Sequence, residues 1–291
     1  VFEILPVLAQ IDAAVEPVQP GGFIAGTMIL SALAGSFLFW LMLWTGGERV
    51  WQETVLRDLL SPPPEADRFV VPRTAYALGI GIVGMMIALK IVSSFAPASN
   101  VELTEGRILS GLGLDLALQL VTYAILGLAV LAGPRPPLWR AIRPGREVLL
   151  GLAGFTAAVG PVLLLMIASQ PLRTESSEHQ FLQILRDSQS PLVMGLICVS
   201  AAVVAPLSEE LTYRVILMGG SEAKLGPGVA LIGSSLLFAV IHGFPDMIAL
   251  VPLALILGWI YQRTQSYIAI VTTHAAFNTF NLTMVLVQTW L

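Results

Sequence analysis

Charge, cysteine and histidine are all scarce in this chain, and each scarcity removes a class of explanation. Only 12% of the 291 residues are charged while 56% are hydrophobic, and mean hydropathy is +0.81, too apolar for an ordinary soluble domain. The single cysteine, Cys198, lies inside an apolar run, which excludes an intramolecular disulfide and a cysteine-built metal cluster. The three histidines form no H-E-x-x-H helix of the zinc-peptidase type. No block of like charge and no basic, aromatic-laced patch is present, so nucleic acid is not an expected partner. The net charge of −4 points to no other, and the lipid bilayer is the partner that composition implies.

What is present is a series of long hydrophobic runs. A bilayer core of about 30 Å takes about 20 apolar residues per helical crossing, and eight runs qualify as candidates, starting near Gly22, Thr74, Leu109, Val148, Leu192, Val229, Met247 and Tyr267. Their periodicity is helical or uniformly apolar, without the alternation of a transmembrane barrel. The expected fold is all-α, a polytopic membrane helix bundle of about eight transmembrane helices. No internal repeat divides it, so residues 1–291 read as a single integral membrane domain.

Basic residues gather in alternate loops, as Lys and Arg bias loops toward the cytoplasm. Arg49, Arg57, Arg68 and Arg73 follow the first run, Arg135, Arg140, Arg143 and Arg146 the third, Lys224 the fifth and Arg263 the seventh. The opposite loops hold Arg107, Arg173 and Arg186, and the leading segment has Glu3, Asp12 and Glu16 with no base. The expectation is a multi-pass protein of the inner (plasma) membrane, with residues 1–21 an extracytoplasmic segment and both termini outside. The stretches "RVWQETVLRDLLSPPP" and "EHQFLQILRDSQSP" mix apolar and charged residues and read either as interfacial pieces or as solvated connectors.

Ionisable residues inside hydrocarbon are expensive and ask for a function. The cluster that stands out lies in the fifth, sixth and eighth runs. Counted from the inner helix ends at 1.5 Å per residue, Glu209 lies about 15 Å deep, His242 about 21 Å and His274 about 12 Å. Residues four apart share a helix face, which pairs Glu210 with Arg214, Phe238 with His242, and His274 with Asn278. Glu209 points about 100° away from Glu210, so the two carboxylates can hold different jobs. "HGFPD" follows directly on His242 and cuts the sixth run short. Irregular backbone at that depth is tolerated where it is buried in protein or lines a watery cavity.

Glu209-Glu210-x-x-x-Arg214, Phe238-x-x-x-His242 and His274-x-x-x-Asn278, in this order on late membrane helices, resemble the CPBP family of type II CAAX prenyl endopeptidases and bacteriocin-processing relatives. Val215 departs from the glycine that many relatives carry after the arginine. The resemblance implies an intramembrane endopeptidase cutting a membrane-associated peptide or protein, with residues 192–288 as its catalytic core. It makes Glu209 the general base, pairs His242 with it, and gives His274 and Asn278 the oxyanion. Glu210, Arg214 and Phe238 support the site. No cofactor is expected. The alternatives are a zinc site using Glu209, His242 and His274, which supply a two-histidine, one-carboxylate set, or a non-catalytic membrane scaffold or immunity protein.

Overall fold

The structure is a computed structural model and describes residues 20–54, 56–60, 68–95, 104–133, 143–173, 184, 188 and 190–290. The acidic leading stretch 1–19, Arg135, Arg140, Arg186 and nearly all of segment 178–190 therefore lie outside the described residues.

Among the described residues the regular structure is entirely helical. The helices are α1 (Pro20–Glu53), the short α2 (Arg57–Leu60), α3 (Arg73–Ser94), α4 (Glu105–Leu131) and α5 (Pro144–Ala168). There follow α6 (Pro191–Leu225), α7 (Pro227–His242), α8 (Asp246–Thr264) and α9 (Tyr267–Trp290). Seven of these are long and apolar enough to cross a membrane. The remaining expected span, the sixth run, is α7, which has 16 residues, a rise of about 24 Å. It is short because Gly243, at φ +88°, ends it, a conformation that glycine adopts at helix ends without a Cβ penalty.

Contacts between helix ends show how the chain alternates. At one end of the bundle Arg146 bonds Asp58 at 2.7 Å, Arg68 approaches Glu222 at 3.7 Å, Ser266 Oγ donates to Glu147 at 2.6 Å and Gln262 Nε2 donates to the Pro227 carbonyl at 2.8 Å. These join the loops after α1, α4, α6 and α8. At the other end Lys90 Nζ donates to the Ile241 carbonyl, and Arg173 pairs with Asp246 at 2.5 Å. Helix α7 thus runs from one face to the other despite its length.

The core forms around α5, which packs on α1, α8 and α9. Without a hydrophobic force between helices in lipid, small residues permit the close approach that dispersion and hydrogen bonds need. Gly151 and Gly154 provide it: a Cβ on Gly151 would stand 2.6 Å from the Ala269 carbonyl oxygen, and one on Gly154 2.5 Å from Thr273 Oγ1. Thr273 Oγ1 then reaches the Gly151 carbonyl at 2.8 Å. That seam fixes the residue before His274. Phe37, Leu30 and Trp44 face outward from α1, as a helix solvated by lipid requires.

Candidate active site

Helix α6 is not a plain α-helix around the motif. Residues Ser200–Val204 and Leu211–Met218 are π-helical, and the α-helical turn Ala205–Glu210 lies between them. A π turn carries an extra residue and recurs at functional sites. Pro206 contributes, because a proline inside the helix removes a backbone donor.

Helix α9 is fastened to this segment at three points. Tyr267 Oη donates to the Leu207 carbonyl at 2.5 Å, Asn278 Nδ2 to the Ala201 carbonyl at 2.8 Å, and His274 Nδ1 bonds Glu210 Oε1 at 2.7 Å. The adjacent carboxylates have different surroundings. Glu210 is fully buried and also receives Arg214 Nη1 at 3.4 Å. Arg214 is equally buried, donates through Nη2 to the Ala254 carbonyl at 3.3 Å, and lies 4.3 Å from the centre of the Phe238 ring, where ring quadrupole and guanidinium attract.

Glu209 is free of that pair. Its side chain is 29% exposed, and Oε2 lies 3.8 Å from His274 Nε2, too far for a hydrogen bond. Oε2 is buried and has no hydrogen-bond partner. A carboxylate oxygen only accepts, so the bond to Glu210 places the proton of neutral His274 on Nδ1 and leaves a lone pair on Nε2. With the ring neutral, Nε2 and Glu209 Oε2 are two acceptors 3.8 Å apart.

His242 is placed differently. Its Nδ1 donates to the Phe238 carbonyl at 2.7 Å, one turn back on α7, which likewise leaves Nε2 as an acceptor. Among the described residues no ion pair joins it to Glu209; the imidazole opposite Glu209 is that of His274. Phe238, 1% exposed, connects the two rings, with centroids 4.6 Å from His242 and 5.7 Å from His274. Asn278 lies one turn beyond His274 and spends one amide hydrogen on Ala201, keeping the second.

Zinc binding would require several donors about 2.0–2.2 Å from one centre. Among the described residues no three His, Cys, Asp or Glu side chains converge in that way. As arranged, Glu209, His242 and His274 do not fit a zinc ion.

Two residues of this neighbourhood escape the sequence motifs. Tyr213 packs edge-on against Phe238 at 5.4 Å with its hydroxyl buried and unbonded, and nothing in the spacing marks it. Asp115 of α4 reaches α6 through Gln119 and Ser200. Its signal was present, since one acid with a glutamine four residues later interrupts the apolar run "GLDLALQL".

No curated protein and no solved structure matches the chain. Residues 191–280, from the start of α6 into α9, match the family model described as type II CAAX prenyl endopeptidase Rce1-like, a segment that contains all seven motif residues. It is in these helices, which carry Glu209, Phe238, His242, His274 and Asn278, that the chain is similar to the Rce1-like type II CAAX prenyl endopeptidases.

Proposed function

We propose that this protein is an intramembrane endopeptidase in which Glu209 activates water without a metal, with residues 192–288 as the catalytic core of a single membrane domain. The observation that carries the reading is the pair of facing acceptors, Glu209 Oε2 and His274 Nε2, 3.8 Å apart. Two acceptors cannot bond each other, but a water molecule donates twice and bridges them. Water so held has both hydrogens engaged and a lone pair free to attack.

Attack forms a bond from the water oxygen to the scissile carbonyl carbon as one O–H bond breaks and its proton moves to Glu209. The carbonyl π electrons go to the oxygen, and the second amide hydrogen of Asn278 is a donor suited to that oxyanion. Collapse then breaks the C–N bond, and the departing amine takes the proton from Glu209. His242, across the Phe238 ring with Nε2 as an acceptor, can relay that proton. Glu210 and Arg214 hold His274 in its tautomer and orientation.

The substrate is a peptide bond of a membrane-associated protein or peptide. The excess of Lys and Arg at the Asp58–Arg146 end orients that face to the cytoplasm and both termini outward. In proteoliposomes holding a fluorogenic membrane peptide, Glu209→Gln keeps shape and loses basicity. Cleavage should fall by about a hundredfold or more, while thermal unfolding stays unchanged. Parental activity in a folded Gln variant would overturn the assignment.

A further inference from the structure

Helix α4 carries a carboxylate that the hydrolytic site does not use. Asp115 lies in the span Glu105–Leu131, ten residues from its start, about 15 Å along the helix. The half-buried or buried residues Leu112, Asp115, Gln119, Tyr123, Leu126 and Val130 form one stripe of this helix, so Asp115 is on the face turned to the protein. Gln119 Nε2 donates to Asp115 Oδ2 at 2.6 Å and to Ser200 Oγ at 3.2 Å. Both amide hydrogens are thereby spent. Gln119 Oε1 is left buried without a partner, and among the described residues no Lys or Arg pairs with Asp115.

An acid at this depth normally pairs with a cation or lines a polar path. Here a carboxylate and an unbonded amide oxygen sit together, and both only accept. Donor-only groups match such a pair: an ammonium or a guanidinium. The surrounding charge agrees, because Arg214 bonds Glu210 and, among the described residues, no Lys or Arg forms an ion pair with Glu209 or Asp115. Low-dielectric walls strengthen the resulting negative field.

We propose that Asp115 and Gln119 form a substrate subsite for a lysine or arginine side chain, which rests on the reading of the site as a peptidase. Ser200, which contacts Gln119, lies nine residues before Glu209 on α6. That is about 13 Å along the helix axis, the length of about four residues of extended peptide. The favoured basic residue accordingly lies about four positions from the scissile bond.

The test uses the full chain in proteoliposomes and peptides in which lysine replaces norleucine at each position in turn. Lysine about four positions from the cleaved bond should raise kcat/KM about tenfold, mainly through KM. Asp115→Asn should remove that ratio, and Gln119→Leu should reduce it. Binding of the same labelled peptides to Glu209→Gln, read by fluorescence anisotropy, should show the same lysine preference and its dependence on Asp115. Glu209-dependent cleavage with no lysine preference, or an unchanged lysine-to-norleucine ratio in Asp115→Asn, would overturn the subsite. Asp115-dependent lysine binding without any cleavage would instead overturn the peptidase reading and leave the subsite standing.

Discussion

His274 is held by the carboxylate beside the one it faces: Nδ1 bonds Glu210 Oε1 at 2.7 Å, and Nε2 is turned to Glu209 Oε2 at 3.8 Å. Adjacent acids on one helix thus address opposite nitrogens of one ring. The division follows from burial. Glu210 is enclosed with a guanidinium, and Glu209, a third of a turn away, reaches the more open side.

Arg214 is the group on which this arrangement depends. It and Glu210 have no exposed side-chain surface, so Arg214→Met leaves a carboxylate in the interior without its counter-charge. Breaking such a pair by removing one partner destabilises by about 3–5 kcal/mol. Arg214→Met should lower the unfolding midpoint in detergent and abolish cleavage. The double variant Glu210→Gln/Arg214→Met should recover much of the stability but little activity, since the neutral amide holds His274 less firmly. A single variant as stable as the parent would show that the pair contributes nothing to the fold.

The helical content and the hydrophobic runs are legible in the sequence, because each is a local pattern. The i,i+4 pairing of Glu210 with Arg214 is such a case, and so is the stop at Gly243. What was not legible depends on how helices meet. Spacing alone pairs His274 with Asn278, yet the ring is fastened to Glu210 of another helix, and Asn278 is fastened to a carbonyl within a π turn. Those turns alter the angular step between side chains on α6, which a uniform 3.6-residue helix does not anticipate. Asp115 is hidden for a different reason: it stands apart from the charges clustered in the fifth, sixth and eighth runs, and only packing turns it toward the bundle.

The α5–α9 seam predicts opposite outcomes for two glycine substitutions. Gly151→Ala puts a methyl group 2.6 Å from the Ala269 backbone oxygen, so α9 must move. Such overpacking costs about 1–3 kcal/mol, and movement of α9 carries His274 with it. Gly113 of α4 has no atom near the position of an added Cβ, and alanine there should raise helix stability by up to about 1 kcal/mol. Thermal unfolding of both variants, with cleavage measured alongside, should show loss of both properties in the first and neither in the second. A stable, active Gly151→Ala protein would remove the seam from the account of the site.

Metal dependence separates the proposed chemistry from its zinc alternative. A zinc hydrolase owes its nucleophile to the ion, whereas water bridged by Glu209 and His274 owes nothing to one. Purified protein should carry substoichiometric zinc and keep its activity after exhaustive chelation with a picolinate. One tightly held zinc whose removal abolishes cleavage and whose return restores it would establish the alternative.

Orientation and hydration are tested together by cysteine labelling on a Cys198→Ala background. Arg57 and Asp58 lie at the end of the bundle that also holds Arg146, and the bond between Asp58 and Arg146 commits the loops after α1 and α4 to one side of the membrane. The proposed orientation puts this end, with its excess of Lys and Arg, in the cytoplasm. Arg57→Cys should therefore react with a membrane-impermeant maleimide only when the cytoplasmic face is exposed. Glu209→Cys probes the interior. Its parent side chain is 29% exposed while its Oε2 atom is buried, so a small aqueous methanethiosulfonate should reach it slowly and a bulky one should not. Reaction of Arg57→Cys from the outer face would invert the assigned orientation. A Glu209→Cys thiol inert to every aqueous reagent would mean that water does not reach this carboxylate, and hydrolysis there would have to be abandoned.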